Sequence, residues 1–249
     1  MVASVPGSHE VLLMTTPVPS SMEPLTYCDR LATKRWGRYI AGIEETAFRK
    51  ALSWQPPGAA LEIGCEGGRW SCKLAEAGWS LTCVDVDATA LAICQSRLPS
   101  ARCVLASERD TTLPCADNSV SLILCIEVWP VMDSDWFLPE ARRVLSPNGL
   151  LVGAIMNRTS LRGLFVRARE RRKQTHQGRH YLHSYTTWKR ERLLPNGFSS
   201  GHEVGYCWFP VQRDSDSPVV PLFSFAERAL QLPRLPSLSP YVVFIARKQ

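Results

Sequence analysis

Apolar and polar positions follow two patterns in the first half of this chain, one typical of buried strands and one typical of amphipathic helices. Short, mostly apolar runs lie at Ala59–Ile63, 81–84 and 120–126, as expected for strands buried on both faces of a parallel sheet. Between the first two runs, Trp70 and Leu74 are four residues apart with charged residues on other faces, which is typical of an amphipathic helix. The pattern predicts a doubly wound, Rossmann-like α/β fold with helices on both faces of the sheet.

The connection between the first two strands carries the most specific signal in the chain. Gly64, Gly67 and Gly68 follow the first strand, and Asp85 comes directly after the second strand, 21 residues beyond Gly64. This spacing fits one β-α-β unit, in which the turn and the acid meet at the carboxyl edge of the sheet. A carboxylate there accepts both ribose hydroxyls, so we predict a nucleoside-bearing cofactor.

The same turn argues against two common phosphate sites. A dinucleotide site would have the order G-x-G-x-x-G, whereas Glu66 here places a negative charge where a diphosphate would lie. A P-loop would require Gly-Lys-Ser/Thr after the turn, and that sequence does not follow it. The turn therefore suits a cofactor without phosphate groups.

Four segments together resemble a known family. LEIGCEGGRW, VDVD, LPCADNSVSLILCIEV and EARRVLSPNGLLV resemble the successive motifs of class I S-adenosylmethionine-dependent methyltransferases, especially the small-molecule group that includes quinone and natural-product enzymes. The resemblance covers roughly residues 25–248. It implies a seven-stranded, mostly parallel sheet with an antiparallel last strand. It also implies S-adenosyl-L-methionine as cofactor and a small-molecule acceptor, hydrophobic or lipid-linked.

The resemblance also assigns expected roles to residues. It implies that the methionine end of the cofactor is held by Glu62, Gly64 and Gly68, the ribose by Asp85, and the adenine amino group by Asp110 or Glu108, of which we favour Asp110. The sequence departs from the family pattern at two places. The family usually has glycine where Glu66 stands and aspartate where Ser121 stands.

The remaining segments divide the chain around this core. Residues 1–24 are rich in Ser, Pro and Thr, which predicts a flexible tail. Residues 25–249 are expected to form one domain, with a helical lid at 25–56, the cofactor-binding core at 57–158 and a substrate-side segment at 159–249. Candidate lid residues are Trp36, Arg38 and Tyr39. Asp87 is expected to cap the helix after the second strand, residues 133–145 to form one helix, and residues 205–211 to form a strand.

One basic segment stands out from the rest of the chain. Residues 162–192 contain ten Lys or Arg against two Glu, a net charge of +8, while the whole chain carries +6. Such a segment is compatible with RNA phosphates, an anionic membrane surface or an acidic substrate. Leu161, Leu164 and Phe165 share one helical face beside these charges, as in an interfacial helix. Nucleic acid is the less favoured partner, because no appended domain or aromatic stacking platform is evident.

Three residues are candidates for catalysis. His180 and His183 have a side chain whose ordinary pKa lies near neutrality, so either can take a proton from a substrate hydroxyl. Glu127 follows the fourth predicted strand, where sites in open α/β sheets form, and is predicted to orient the cofactor or act as a base. No third ligand accompanies the two histidines, so no metal is expected. Two alternatives to a small-molecule enzyme stay open, an RNA methyltransferase and a non-catalytic cofactor-fold protein.

Cysteine content and hydropathy bear on location. The nine cysteines are odd in number and form no C-x-x-C pairs, which favours reduced thiols over a disulfide framework. No run of eighteen apolar residues occurs, and the N-terminus lacks the pattern of a signal peptide. We therefore expect a cytoplasmic protein.

Overall fold

A computed structural model describes residues 25–173 and 182–249. The predicted tail at 1–24 and His180 lie outside the described residues. Seven strands form one sheet in the order β3-β2-β1-β4-β5-β7-β6. The strands are β1 (Ala59–Ile63), β2 (Ser80–Asp85), β3 (Arg102–Leu105), β4 (Val120–Cys125), β5 (Leu145–Met156), β6 (Phe198–Tyr206) and β7 (Tyr241–Lys248).

The sheet is parallel except at its last strand. Neighbouring strands among β1 to β5 pair in parallel, whereas β7 is antiparallel to both β5 and β6 and lies between them. The strand order reverses between β1 and β4. In open α/β sheets a ligand binds at the carboxyl end of the strands at such a reversal, so the topology places the site beside the glycine turn. The predicted fold class is confirmed.

Nine α-helices are assigned in the described residues. They are α1 (Tyr27–Ala32), α2 (Arg35–Trp54), α3 (Arg69–Glu76), α4 (Ala88–Arg97), α5 (Trp129–Met132), α6 (Phe137–Val144), α7 (Leu161–Lys173), α8 (Tyr185–Trp188) and α9 (Val220–Ala229). Asp87 caps α4 as predicted, because its carboxylate accepts the backbone N–H groups of Thr89 and Ala90.

Two sequence predictions were wrong in their bounds. The helix expected at 133–145 begins later, at Phe137, and is α6, with Pro139 in its first turn, where the missing N–H costs nothing. The strand expected at 205–211 ends at Tyr206 and begins at Phe198. From Ser199 to Val204 its residues are partly buried or exposed, because β6 is an edge strand, so it lacks the apolar run that marks the central strands.

Apolar side chains pack on both faces of the sheet. One cluster joins the sheet to α6 and α8 and includes Phe137, Trp188 and Phe244. The other joins it to α3 and α4 and includes Trp70 and Leu74. A third, smaller cluster joins α2 to β6, β7 and α9, and it contains Trp36, Tyr206, Val220 and Tyr241. This third cluster fixes the predicted lid helices beside the carboxyl edge of the sheet.

Candidate functional site

A cavity of about 640 Å³ opens at the carboxyl edge of β1 and β2. A volume of this order accommodates a nucleoside-sized ligand. Its walls come from the ends of β1 and β2, the segment after β3 and the segment after β4. The residues of its wall that matter here are Ile63, Gly64, Asp85, Val86, Val104, Glu108, Asp110, Leu113 and Val128. Val86 is 54% exposed although it is apolar, and it gives the cavity a surface on which a flat ring can lie.

The Asp85 carboxylate is held in place by backbone donors. It accepts the N–H of Glu66 at 2.7 Å and the N–H of Asp87 at 2.9 Å, one on each oxygen. A carboxylate has about four acceptor positions, so two remain for groups in the cavity. Two adjacent hydroxyls of a ribose match these remaining positions.

The glycine turn leaves no space for side chains. Gly64 has φ +68°, and a Cβ at this position would lie 2.5 Å from Cγ2 of Val128. Gly68 has φ +79°, and a Cβ there would lie 2.8 Å from Sγ of Cys94. Gly64 lines the cavity, whereas Gly68 packs the start of α3 against α4. A bare backbone at Gly64 allows close approach of a bound ligand.

The two departures from the family pattern have structural explanations. The Glu66 carboxylate accepts the hydroxyl of Thr26 at 3.0 Å and the N–H of Cys28 at 3.1 Å, so it caps α1. It therefore points toward the lid helix and ties that helix to the glycine turn. Ser121 donates its hydroxyl to the carbonyl of Ala59 at 3.2 Å, near the amino end of the strands and away from the cavity.

Glu62 lies beneath the turn and is buried. Its carboxyl group accepts the hydroxyl of Ser71 on α3. Burial raises the pKa of Glu62 to about 8, because the charged form loses its hydration. Glu62 lines neither of the two cavities described here, and its predicted contact with the cofactor stays a prediction.

The structure does not separate the two candidates for the adenine contact. Glu108 and Asp110 both line the cavity. Asp110 accepts the N–H of Ser107 at 2.8 Å, which fixes the loop after β3 and leaves its other oxygen available. The expectation for Asp110 stays a prediction.

A second, smaller cavity of about 20 Å³ lies under the lid and has room for about one water molecule. Its lining includes Glu44 of α2, Arg69 of α3, Glu127 and Arg213. Glu127 has φ +62° and forms an ion pair with Arg213. Burial raises the pKa of Glu127, and the Arg213 charge opposes that rise. Burial also disfavours the Arg213 charge, but Glu127 together with Tyr241, Glu44 and Tyr206 holds the pKa of Arg213 above its usual value.

Glu44 is the most deeply buried member of this group. It is 2% exposed, and the hydroxyl of Tyr206 donates to it at 3.4 Å. Burial, then the nearby Glu127 charge, raises its pKa well above the usual value. We call Glu44, Arg69, Glu127 and Arg213 the charged cluster.

The predicted histidine base is not near this cluster. In the described part of the chain, His183 lines neither cavity. Its Nε2 lies 3.2 Å from the Arg192 guanidinium and 3.7 Å from the Asp133 carboxylate. Burial and the Arg192 charge lower the pKa of His183. Of the three candidate catalytic residues, Glu127 alone is placed in a cavity by the described residues.

Two of the candidate lid residues join α2 to the segment that follows β5. Trp36 and Tyr39 of α2 stack with ring centroids 4.5 Å apart. The Tyr39 hydroxyl donates to Glu227 of α9 and accepts the N–H of Cys207 at 3.1 Å. The lid is thus joined to the substrate-side segment by buried polar contacts.

Sequence reasoning missed Glu44, Arg69 and Arg213 as site residues. Glu44 offered a signal, since it lies on the buried side of a helix among apolar residues. Arg213 offered no such sequence signal. It lies on a connection without a regular pattern, and its partner Glu127 is 86 residues earlier in the chain.

None of the nine cysteines, all of which lie in the described residues, forms a disulfide. Cys83, Cys94 and Cys103 place their Sγ atoms within 4.8 Å of one another behind the glycine turn, the one such ligand group among the described residues. The helices of the described chain include none with both the length and the apolar character needed to span a bilayer.

Comparison with known proteins extends these observations. A family described as "Methyltransferase domain" matches residues 61–153, from β1 into β5. An uncharacterized methyltransferase of Mycobacterium tuberculosis is 32% identical over 111 residues, 43% of this chain and 44% of that protein. An uncharacterized methyltransferase-like protein of Schizosaccharomyces pombe is 28% identical over 157 residues, 61% of this chain and 57% of that protein. The chain thus spans about half the length of the curated relatives it matches.

Solved structures share the fold over a longer stretch. An S-adenosylmethionine-dependent methyltransferase from Mesorhizobium loti has a TM-score of 0.57 at 18% identity, covering 82% of this chain and 97% of that one. A geranyl diphosphate methyltransferase in complex with GPP and sinefungin has a TM-score of 0.59 at 14% identity, covering 86% and 80%. These similarities include the substrate-side strands as well as the matched domain.

Proposed function

Because this chain contains a methyltransferase domain within the class I S-adenosylmethionine-dependent methyltransferase fold, we propose that it transfers a methyl group from S-adenosylmethionine to a small-molecule acceptor. The observation that carries the proposal is the Asp85 carboxylate, oriented by two backbone N–H groups at the edge of a nucleoside-sized cavity. A similar solved structure, a geranyl diphosphate methyltransferase, is in complex with this cofactor.

The residues present fit the nucleoside part of the cofactor. Asp85 has acceptor positions for both ribose hydroxyls, and Val86, Val104 and Leu113 offer apolar surface for the adenine. Asp110 supplies a carboxylate oxygen for the adenine amino group. Gly64 lines the nucleoside cavity without a side chain. The ligand can therefore pass close to its backbone on the way toward the smaller cavity under the lid.

The charged cluster carries charges that match the amino-acid end of the cofactor, and its cavity of about 20 Å³ must widen to admit that group. Val128 contacts the Gly64 position, so Glu127 next to it lies just beyond the glycine turn. An α-amino acid carries an ammonium and a carboxylate, and the cluster supplies groups of both complementary signs. Glu127 suits the ammonium, and Arg69, at the start of α3, suits the carboxylate. The helix N-terminus adds a favourable field for that negative charge.

When bound, S-adenosylmethionine supplies an electrophilic methyl group. The protein's own contribution is alignment, since holding two reactants in line can lower a barrier by roughly 7 to 11 kcal/mol in ideal cases. Asp85 and the charged cluster hold the two ends of the cofactor. The lid helices α1 and α2, tied down through Glu66 and Tyr39, exclude water from the site.

The acceptor binds on the lid side of the cluster, where Leu31, Ala32 and Ile40 line the smaller cavity. Apolar walls favour a hydrophobic acceptor, which agrees with the predicted lipid-linked class. The nine free thiols fit a reducing compartment, which supports the predicted cytoplasmic location.

The proposal is tested by calorimetric titration with S-adenosylmethionine and S-adenosylhomocysteine. We expect micromolar or tighter binding of both ligands. If neither S-adenosylmethionine nor S-adenosylhomocysteine binds, the proposed methyltransferase activity is contradicted. The role of Glu127 is tested with Glu127→Gln, by comparing S-adenosylhomocysteine affinity with the rate of methyl transfer. Weaker affinity supports cofactor orientation, whereas a lower rate at unchanged affinity assigns Glu127 as the base.

The unusual Glu66 and Ser121 are the residues that would favour a non-catalytic role. Both side chains have structural partners away from the nucleoside cavity. Neither residue removes a group that the proposed reaction requires.

A further inference from the structure

Helix α7 has an outward face that is apolar. Leu161 is 84% exposed, Leu164 53% and Phe165 70%. The opposite side is the packed one. Gly163 lies against the backbone, where a Cβ would be 2.7 Å from the carbonyl oxygen of Asn157, and Val166 packs on the third cluster. A surface helix normally turns its polar side to water, so this reversed arrangement marks an interaction surface.

Positive charge borders the same face. Arg158, Arg162 and Arg169 flank the three apolar residues, and the sequence continues with Arg171, Arg172 and Lys173. Residues 162–192 carry a net charge of +8, whereas the whole chain carries +6. The rest of the protein is therefore slightly acidic, and the attraction for anions is concentrated on this segment.

Helix α9 adds a second outward apolar face. Its Val220 is buried in the third cluster, on which Val166 of α7 also packs. Its Leu222 and Phe225 are each 62% exposed. Of the fifteen exposed large apolar residues in the described chain, eleven follow residue 157. Exposed apolar surface is thus a property of the substrate-side segment and not of the whole protein.

We propose that α7 and α9 bind the surface of an anionic membrane. An anionic bilayer satisfies both features at once, since its headgroups attract the arginines and its acyl boundary covers Leu161, Leu164 and Phe165. RNA would satisfy the charge but would leave the apolar side chains exposed. The face adjoins the site, because Arg162 lies 5.7 Å from the Tyr241 ring, which packs against Trp129 after β4. A lipid-like acceptor would reach the site from that membrane.

The test is co-sedimentation of the full chain with vesicles of phosphatidylcholine alone or mixed with phosphatidylserine. We expect binding to the mixed vesicles only, weakened by salt. The double variant Leu164→Asp/Phe165→Asp should bind at least about tenfold more weakly. Arg169→Gln should bind about fivefold more weakly. Leu105→Asp is the matched control, since Leu105 is 57% exposed on the opposite edge strand β3, and it should bind like the wild type.

All of the substituted side chains are at the surface, so we expect unchanged circular dichroism and melting temperature. Three outcomes overturn the proposal. The first is the absence of binding to anionic vesicles. The second is binding that resists the double variant and is displaced by single-stranded RNA, which assigns the basic face to nucleic acid. The third is a concentration-dependent dimer that the double variant abolishes, which assigns the apolar face to a second copy of the chain.

Discussion

The two halves of this site are built differently. In the nucleoside half, Asp85 accepts the backbone N–H groups of Glu66 and Asp87, which lie nineteen residues before it and two residues after it in the chain. In the lid half, Glu127 is paired with Arg213, and Glu44 meets Tyr206 across 162 residues. The first half is assembled by local chain geometry and the second by distant segments that converge on it.

The difference has an energetic consequence. Backbone donors at Asp85 come with the fold and need no further side chain to stay in place. The charged cluster is stable only while its members pair, because an unpaired buried charge costs several kcal/mol. We therefore expect substitutions in the nucleoside half to affect ligand binding first, and substitutions in the lid half to affect folding stability as well.

The largest effect is expected for Asp85→Ala. It removes the two acceptor positions proposed for the ribose, and each charge-assisted hydrogen bond contributes about 1.5–3 kcal/mol. S-adenosylhomocysteine affinity should fall by about 100-fold or more in a calorimetric titration. Asp85→Asn keeps the shape of the side chain and should lose less affinity for S-adenosylhomocysteine than Asp85→Ala. Equal affinity of wild type and Asp85→Ala would place the ribose elsewhere.

Arg213→Ala is expected to come next and to act on stability. The variant leaves Glu127 without its partner. Breaking a fully buried pair lowers the free energy of unfolding by about 3 kcal/mol. The loss should be smaller here, since 34% of the Arg213 side chain is exposed. Chemical denaturation measures this loss. The double variant Arg213→Ala/Glu127→Gln should recover much of the lost stability, and failure to recover would show that the pair is not coupled.

Gly64→Ala tests the bare backbone of the turn. The new Cβ would lie 2.5 Å from Val128 at φ +68°, and a left-handed non-glycine residue costs about 1–2 kcal/mol before any clash. We expect a lower melting temperature and weaker cofactor binding. Gly42→Ala on α2 is the matched control, because a Cβ there has nothing within 4 Å and should stabilise the helix by roughly 0.5–1 kcal/mol.

The smallest effect concerns pH and Asp133, which lies beside His183. Burial raises the pKa of Asp133 from 3.8 to about 6, against the opposing charge of Arg192. The folded state therefore holds this proton more tightly than the unfolded state. Its contribution to stability is full below about pH 4 and is lost as the pH rises through about 6.

Asp133→Asn stays neutral throughout this range. Relative to wild type it should be more stable by about 1 kcal/mol at pH 8 and equal at pH 3.5, as measured by thermal unfolding at both values. Asp135→Asn is the control, since that side chain is fully exposed and should show no such difference. An equal effect of Asp133→Asn at both pH values would show that burial does not shift this carboxyl group.

Sequence alone predicted the central strands, the glycine turn and the acid after β2, because each depends on residues close together in the chain. Ala59–Ile63 was correct at both ends, and Asp87 was correctly predicted as a cap. The edge strand β6 was misplaced, because a strand with one exposed edge has no continuous apolar run. The role of Glu66 was also not predictable, since its partners lie about forty residues earlier in the chain.

By itself, the sequence determined the sheet, the turn and the position of a carboxylate for a nucleoside, since hydrophobic periodicity and glycine spacing act over single β-α-β units. Tertiary structure alone decided that Glu44, Arg69, Glu127 and Arg213 meet under the lid and that His183 lies apart from them. It also decided that Leu161, Leu164 and Phe165 face outward. The physical reason is that burial and charge pairing depend on which distant segments pack together. The hydrophobic periodicity of one segment does not specify which other segments pack against it.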